Sequence, residues 1–342
     1  MTVHLHYPHS TPPAQHDAIE VAPGILWLRL PLPMTLNHVN CYALEEDDGW
    51  TLVDTGMASK HTKALWQAIM ATPLRGKPVT RLIVTHYHPD HIGLAGWFQA
   101  QGVELITTRT SWLYARMLTL EEQRLPSPEA LQFYQRSGLH ADQLEAKAQE
   151  RPFNFSDVVA PLPLGFTRIS AGDVITAGGR RWLVRIGDGH APEHAMLWSL
   201  DDHLVLAGDQ LLPTISAHIG VYPTEPDADP LTEWLNSTRA LMPHAQDSHL
   251  VLPGHKLPYL GLANRLTEMV AEHDAALDRL LDLLKTPKRA TECFVPLFKR
   301  PIGPESFGMA LSESVAHLNC LLQRGLVSRE ISEGGAWLWR AN

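Results

Sequence analysis

The chain has 342 residues, 44% of them hydrophobic and 19% charged, with a formal net charge of −9. That length sits at the upper limit for a single core and predicts an accessory domain, while the acidic balance argues against nucleic acid as the general partner. No apolar run approaches a membrane span, the polar N-terminus lacks a signal-peptide h-region, and three widely spaced cysteines, Cys41, Cys293 and Cys320, are the usage of a reduced, cytoplasmic protein.

In chain order, residues 1–20 read as a flexible arm, where His4, His6 and His9 mimic a ligand spacing among Pro, Ser and Thr. Strands are predicted over 25–30, 39–44 and 50–53, with Asp47-Asp48-Gly49 turning between the last two. His38, where the chain enters the second strand, is expected at the surface or a pocket rim. Asp54 leaves the third strand and is placed to orient a ligand histidine. An amphipathic helix follows over 59–71, then a β-branched strand over 79–84. Directly after it comes Thr85-His86-Tyr87-His88-Pro89-Asp90-His91-Ile92-Gly93, with four metal-capable side chains, His86, His88, Asp90 and His91, inside six residues. Imidazole nitrogen and carboxylate oxygen suit a divalent ion such as zinc. With a helix predicted over 93–101, these ligands sit on a turn at the carboxyl end of a strand, where α/β proteins build their sites. His86 and His88 can share one face of extended chain. Asp90 and His91 then turn toward a second point, so one loop can serve two ions.

After a strand over 103–107 the alternation breaks. Residues 109–152 hold helical patches over 111–122, 128–136 and 141–150, punctuated by Pro126, Pro128 and Gly138. This helical insertion is expected to roof a pocket. Trp112, Tyr114, Met117, Phe133 and Tyr134 supply its apolar groups, and Arg109, Arg116 and Arg124 its spare positive charge. Strands return over 174–175, 181–186, 195–199, 204–207 and 250–252. His190, Asp209 and His255 each follow one of these apolar strands, so all three should emerge at the same edge. A long helix over 261–285 carries a core stripe on which His273 is expected to pack. A helix over 305–323 and strands over 326–331 and 336–340 then resemble a winged-helix module. From Ala290 to Asn342, Lys299, Arg300, Arg324, Arg329 and Arg340 are balanced by Glu292, Glu305, Glu313, Glu330 and Glu333. A DNA reader needs phosphate-neutralising charge, so a packing or homodimerisation role is expected instead.

The ordered set resembles the metallo-β-lactamase superfamily. His86-x-His88-x-Asp90-His91, His190, Gly208-Asp209 and Pro253-Gly254-His255 fall in that family's order, and Asp54-Thr55-Gly56 matches its early strand-end motif. The resemblance implies an α/β fold, an αββα sandwich with a helical insertion and a small C-terminal winged-helix-like domain. The domains are then an arm over 1–20, a catalytic domain over 21–260 with its insertion at 109–152, and a C-terminal domain over 261–342. It also implies two divalent ions, zinc first, with iron or manganese as alternatives. His86, His88 and His190 would hold one ion, Asp90, His91 and His255 the other, and Asp209 would bridge them.

Two divalent ions flanking one water lower its pKa toward about 7, and the chain has no Gly-x-Ser-x-Gly stretch to supply a serine nucleophile. The expected activity is hydrolysis of a small-molecule substrate by a hydroxide bridging two zinc ions, with Asp90 aiming it. His190-Ala191-Pro192-Glu193-His194 resembles the thioesterase-like branch that contains glyoxalase II and the lactamase-β-like proteins. That points to a thioester of acyl-coenzyme A or acyl-glutathione type. His194 is a candidate behind the ligands, and His218 and Tyr222 are candidate oxyanion or substrate contacts. Leu212 stands where the quorum-signal lactonases carry a tyrosine, which weakens a lactone substrate. Lactone or other ester hydrolysis, ribonuclease activity and the mononuclear-iron chemistry of persulfide dioxygenases remain the alternatives within the superfamily.

Overall fold

A computed structural model describes residues 5–342; His4 lies outside the described residues. Two compact units divide the chain. One runs to Glu122 and includes Phe153–Ala217 and His244–Arg265; the other comprises Gln123–Pro152, His218–Pro243 and Leu266–Asn342. The insertion predicted over 109–152 is thus shared between them, its first helix in one unit and its second and third in the other.

The first unit is built on two sheets. The larger contains β1 (Ile19–Ala22), β2 (Ile25–Pro31), β3 (His38–Glu45), β4 (Trp50–Val53), β5 (Val79–Ile83), β6 (Glu104–Thr107) and β7 (Thr167–Arg168), in that spatial order. β1 to β4 pair antiparallel through short turns, and β4 to β7 pair parallel. Parallel neighbours need long crossovers. Helix α1 (Lys60–Ala71) supplies one and α2 (Pro89–Ile92) with α3 (Ala95–Gln99) the next. The third contains α4 (Arg109–Leu120), α5 (Pro128–Arg136) and α6 (Ala141–Gln149). Ser59 starts α1 by accepting the Thr62 N–H at 2.9 Å, satisfying one of the donors a helix start leaves orphaned. The second sheet contains β8 (Val174–Ala177), β9 (Arg180–Gly187), β10 (His194–Ser199), β11 (Leu204–Gly208) and β12 (Leu250–Pro253). Its order is β12-β11-β10-β9-β8, and only β11 and β12 run parallel.

Alternation along the strands decides which layer each side chain joins. On β2, Ile25 and Trp27 enter the core between the sheets with Trp182, Val184, Ala195 and Leu197 of the second sheet. Leu28 and Leu30 point the other way and pack with Leu65, Trp66 and Ile69 of α1 and Phe98 of α3. The Trp66 and Phe98 rings meet edge to face at 5.3 Å. Full burial of an apolar side chain of this size stabilises by about 1.5–3 kcal/mol. The result is a helix–sheet–sheet stack whose strand ends are free to carry ligands.

Two elements depart from the sequence reading. The segment expected as a loose arm is irregular over 5–18 but anchored: His6 and Leu260 exchange main-chain hydrogen bonds of 3.2 and 2.8 Å, and the His9 ring lies 6.4 Å from that of Trp27. Composition does not reveal backbone pairing with a distant partner. In the second unit, α7 (Pro230–Leu241) has no counterpart among the predicted helices, although Asp229 caps it and Pro230 opens it, a helix-start signature.

That second unit also holds most of α8 (Leu262–Leu283), α9 (Phe294–Phe298), α10 (Phe307–Gln323) and the antiparallel pair β13 (Val327–Ile331) and β14 (Trp337–Ala341). α10 is buried along most of its length. His273 packs as expected: it is buried, its Nδ1 lies 3.3 Å from His317 Nε2, and the His317 Nδ1–H donates to the Glu313 carbonyl at 2.9 Å. Arg329 lies over the rings of Trp337 and Trp339, at 4.2 and 5.0 Å, and pairs with Asp227. No helix among the described residues is long and apolar enough to cross a membrane.

Candidate metal centre

Strand direction gathers the candidate ligands. β4 and β5 run parallel, and β9 and β11 share a direction because each is antiparallel to β10. The segments after β4, β5, β11 and β12 carry Asp54, His86 to His91, Asp209 and His255, and the β9–β10 turn carries His190. Seven candidates from far apart in the chain thereby converge: His86, His88, Asp90, His91, His190, Asp209 and His255.

One half is an all-nitrogen cluster. His86 Nε2 lies 3.0 Å from His88 Nδ1 and 3.3 Å from His190 Nε2. Thr85 Oγ1 donates to Asp54, so it accepts the His86 Nδ1–H at 3.0 Å and leaves Nε2 with its lone pair inward. Burial first, and then the neighbouring imidazoles, push His86 and His88 well below the usual histidine range. These rings are therefore neutral, the form in which imidazole binds metal.

The other half sets lone pairs against carboxylates. His91 donates its Nδ1–H to Asp54 Oδ2 at 2.8 Å, which leaves Nε2 facing Asp209 Oδ1 at 3.3 Å and Asp90 Oδ2 at 3.6 Å. His255 donates its Nδ1–H to the His38 carbonyl at 2.7 Å, which leaves Nε2 at 3.1 Å from Asp209 Oδ2 and 3.3 Å from Asp90 Oδ2. Neither His91 Nε2 nor Asp209 Oδ1 finds a hydrogen-bond partner, and both are buried. Acceptors facing acceptors need positive charge between them. Burial opposes protonation of both rings, yet Asp209 and Asp90 outweigh it, raising His91 well above its usual value and His255 to about 10. A divalent cation supplies that charge without the proton. Among the described residues, three groups bring their ligand atoms within 4.8 Å of one another: His86, His88 and His190; His86, His91 and Asp209; Asp90, His91 and His255. The donor set fits metal ions.

The surroundings hold these rings in place. Asp54 is buried and accepts from the Thr85 N–H, the Thr85 hydroxyl and His91. It orients one imidazole directly and a second through Thr85, the arrangement that fixes tautomer and direction in metal sites. From β3, the Asn40 amide donates to the carbonyls of Pro253 and Lys256, and the Tyr42 hydroxyl to that of Pro253, each at 2.9 Å. His38 is not at a rim. It is buried, accepts the Lys256 N–H at 2.9 Å and donates to Asn37, and burial followed by Arg29 pushes it down to about 3. Gly254 is needed for closeness: a Cβ there would meet Asp209 Oδ1 at 2.2 Å and His91 Cε1 at 2.8 Å.

His194 is fully buried and stacks on His86 at 4.6 Å. Its Nε2 accepts the Asp209 N–H at 3.1 Å, so it acts on Asp209 and His86 from behind. Gly208, at φ +49, leaves the room, since a Cβ would lie 2.6 Å from the His194 ring. Of six non-glycine residues with positive φ among those described, Asp54, Glu193 and Lys256 flank this centre. Such a conformation costs about 1–2 kcal/mol, and its clustering at a site is the pattern of a preorganised constellation.

His218 and Tyr222 belong to the second unit. There His218 Nδ1 meets Glu313 Oε2 at 3.2 Å, and its Nε2 meets the Tyr222 hydroxyl at 3.1 Å and Ser312 Oγ at 3.2 Å. Arg116, read as spare charge, is engaged within the first unit: it donates to the Leu162 carbonyl and lies 5.5 Å over Trp112. Sequence reasoning missed Asn40, Tyr42 and Thr85, none of which carries a ligand signature.

Comparison with known proteins adds to this geometry. Residues 34–255 match the family model of the metallo-beta-lactamase superfamily, and residues 277–342 that of the metallo-beta-lactamase-like C-terminal domain. The probable metallo-hydrolase YqjP of Bacillus subtilis (strain 168) is 25% identical over 310 residues, covering 87% of this chain and 92% of its own length. A beta-lactamase domain protein from Burkholderia ambifaria shares 34% identity and a TM-score of 0.88 over 99% of this chain and 97% of its own. A metallo-beta-lactamase family protein from Thermus thermophilus shares 26% identity and a TM-score of 0.78, over 94% of this chain and 100% of its own. With its metal-competent residues in one constellation and the family model spanning most of the sequence, the chain belongs to the metallo-beta-lactamase superfamily.

Proposed function

We propose that this protein is a dinuclear metal-dependent hydrolase that cleaves a small-molecule thioester of acyl-coenzyme A or acyl-glutathione type. The observation that carries the reading is the double convergence: three imidazole nitrogens meet at one point, and beside them two imidazole lone pairs face Asp90 and Asp209. In this reading His86, His88 and His190 hold one ion, Asp90, His91 and His255 the other, and Asp209 both. Zinc suits these donors, with iron or manganese as alternatives. Bound ions of this kind lower the pKa of water toward about 7 and polarise a substrate carbonyl oxygen.

The chain's own residues do the rest. The Asp90 side chain is twice as exposed as that of Asp209, 18% against 9%, and accepts a hydrogen bond from the attacking water, which fixes its direction. A thiolate, with a conjugate acid near a pKa of about 8.5, leaves with little help from a proton donor. This suits a centre whose imidazoles are committed to carboxylates, carbonyls or one another. Helix α4 lies beside the ligand loop, since the Tyr114 ring packs on Tyr87 at 5.1 Å, so its face supplies an acyl-chain wall and Arg109 a contact for an anionic carrier. Leu212 is buried and offers no phenol three residues past Asp209, which disfavours lactones. The similarity of the His190–His194 stretch to glyoxalase II supports the same branch. Three free, buried cysteines support a cytoplasmic setting, and the balanced charge of the winged-helix-like C-terminal segment supports a packing or self-association role.

The test is a panel of thioesters, lactones, β-lactams and phosphodiesters at matched concentration, with metal analysis of the same sample. Two zinc ions per chain and fastest turnover of a thioester are expected. Phosphodiester or β-lactam turnover orders of magnitude above every thioester would sink the substrate assignment. One tightly held iron with oxygen-dependent turnover would replace hydrolysis by a dioxygenase reaction.

His218 and Tyr222 stay in the proposal as substrate contacts. Tyr222→Phe removes the hydroxyl that meets His218 and should lower kcat/KM about tenfold at full metal content, the worth of one hydrogen bond to a developing charge. Wild-type kinetics in this variant would remove the pair from the reaction.

A further inference from the structure

Glu193 stands at φ +51, a region that glycine enters freely and other residues rarely. Three contacts hold it there. Its N–H donates to Asp188 Oδ1 at 2.9 Å, its carbonyl accepts from Thr108 Oγ1 at 2.9 Å, and its carboxylate Oε2 accepts the Thr110 N–H at 2.8 Å. Thr108 is the N-cap of α4 and Thr110 lies in its first turn, so the carboxylate sits at the positive end of that helix. Arg109 and Arg168 add positive charge around it.

The position in the chain matters as much as the contacts. Glu193 lies in the β9–β10 turn, three residues past His190 and next to His194. One turn further along α4, Tyr114 packs on Tyr87, whose chain neighbours are His86 and His88. Helix α4 is therefore fastened to the His190 turn at its start and to the His86–His88 loop along its body.

We propose that Glu193 is a positioning residue that holds α4, the wall expected to meet substrate, in register with the candidate centre through the Thr110 amide. Glycine would suit the backbone at this position better; it would not reach the helix. The carboxylate is what the strained conformation delivers. The kinetic part of this inference rests on the hydrolase reading, whereas the structural part does not.

The experiment compares full-length protein with Glu193→Gly and Glu193→Gln in three measurements: amide hydrogen exchange along α4, zinc content, and kinetics on octanoyl-coenzyme A. In Glu193→Gly, exchange over the first turn of α4 should speed about tenfold or more, the consequence of losing a hydrogen bond to a charged group. Zinc content should stay at the wild-type level, and KM should rise about fivefold with kcat within about twofold, the signature of lost binding rather than lost chemistry. Glu193→Gln keeps an acceptor oxygen and should restore exchange and KM toward wild type. Wild-type exchange along α4 in Glu193→Gly overturns the proposal. So does loss of zinc in that variant, which would place the role of Glu193 in the His190 turn itself. If the wild-type protein leaves every thioester intact, the substrate assignment fails while exchange and zinc content still decide the role of Glu193.

Discussion

Replacing Asp209 by alanine is expected to strip metal from both halves of the centre and to abolish turnover. Its Oδ1 lies 3.3 Å from His91 Nε2, and its Oδ2 lies 3.1 Å from His255 Nε2 and 3.6 Å from His190 Nε2. Both of its oxygens thus face imidazoles, and these belong to the two halves. Even partners behind the ligands are worth about 10–100-fold in metal affinity, so loss of a carboxylate proposed to serve both halves should cost on the order of a hundredfold or more. His255→Ala is the control: it removes one imidazole and leaves His86, His88 and His190 untouched, so it should empty mainly one position. Metal stoichiometry at limiting zinc checks this. Two ions per chain in Asp209→Ala would show that the carboxylate does not bridge.

The second large effect is expected at Asp54, which is buried behind the candidate ligands. Alanine there leaves the Thr85 N–H, the Thr85 hydroxyl and the His91 Nδ1–H without their buried acceptor. Each stranded donor costs about 1–3 kcal/mol, so Asp54→Ala should destabilise the metal-free fold by about 3–5 kcal/mol. The backbone at φ +62 gives alanine no compensating relief. Zinc affinity should fall together with stability, because His91 loses its tautomer-fixing partner and His86 loses its own through Thr85. Asp54→Asn keeps one acceptor oxygen and should fall between. Denaturant unfolding of metal-free protein and chelator competition measure the two effects separately. A variant within about 1 kcal/mol of wild type would show that solvent replaces the carboxylate at no cost.

The strands and the ligand loop were legible because their signals are local. His86, His88, Asp90 and His91 announce themselves within one turn, and apolar runs mark the strands that deliver His190, Asp209 and His255. The structure brings those dispersed residues to one edge because strand direction alone decides it. Asp54 was readable as an orienting group only once a metal site was suspected nearby. Asn40 and Tyr42 were not readable at all. They sit in an apolar strand, and their partners are main-chain carbonyls, which leave no mark in composition. His38 looked like a rim residue because histidine is amphipathic, and its burial depends on Lys256, a partner 218 positions away in the chain. The Glu193 conformation was hidden for the opposite reason: the sequence shows a residue that normally avoids positive φ.

The bonds from Asn40 and Tyr42 to the Pro253 carbonyl span 213 and 211 residues of chain. They have a consequence for the birth of the protein. Synthesis proceeds from the N-terminus at about 5–20 residues per second, and long-range closures lag behind local ones. While the ribosome is still making the middle of the chain, the His86–His91 loop is already outside, with imidazoles and a carboxylate but without Asp209, His255 or the carbonyls that steady β3. A nascent chain halted before residue 250 holds six of the seven candidate ligands and lacks His255 together with the Pro253 carbonyl that Asn40 and Tyr42 bind. An ion captured at that stage would lack the His255 imidazole and should exchange faster than in the finished chain. The Pro253-Gly254-His255 step thus brings the last candidate ligand and the carbonyl that holds β3 in one late event.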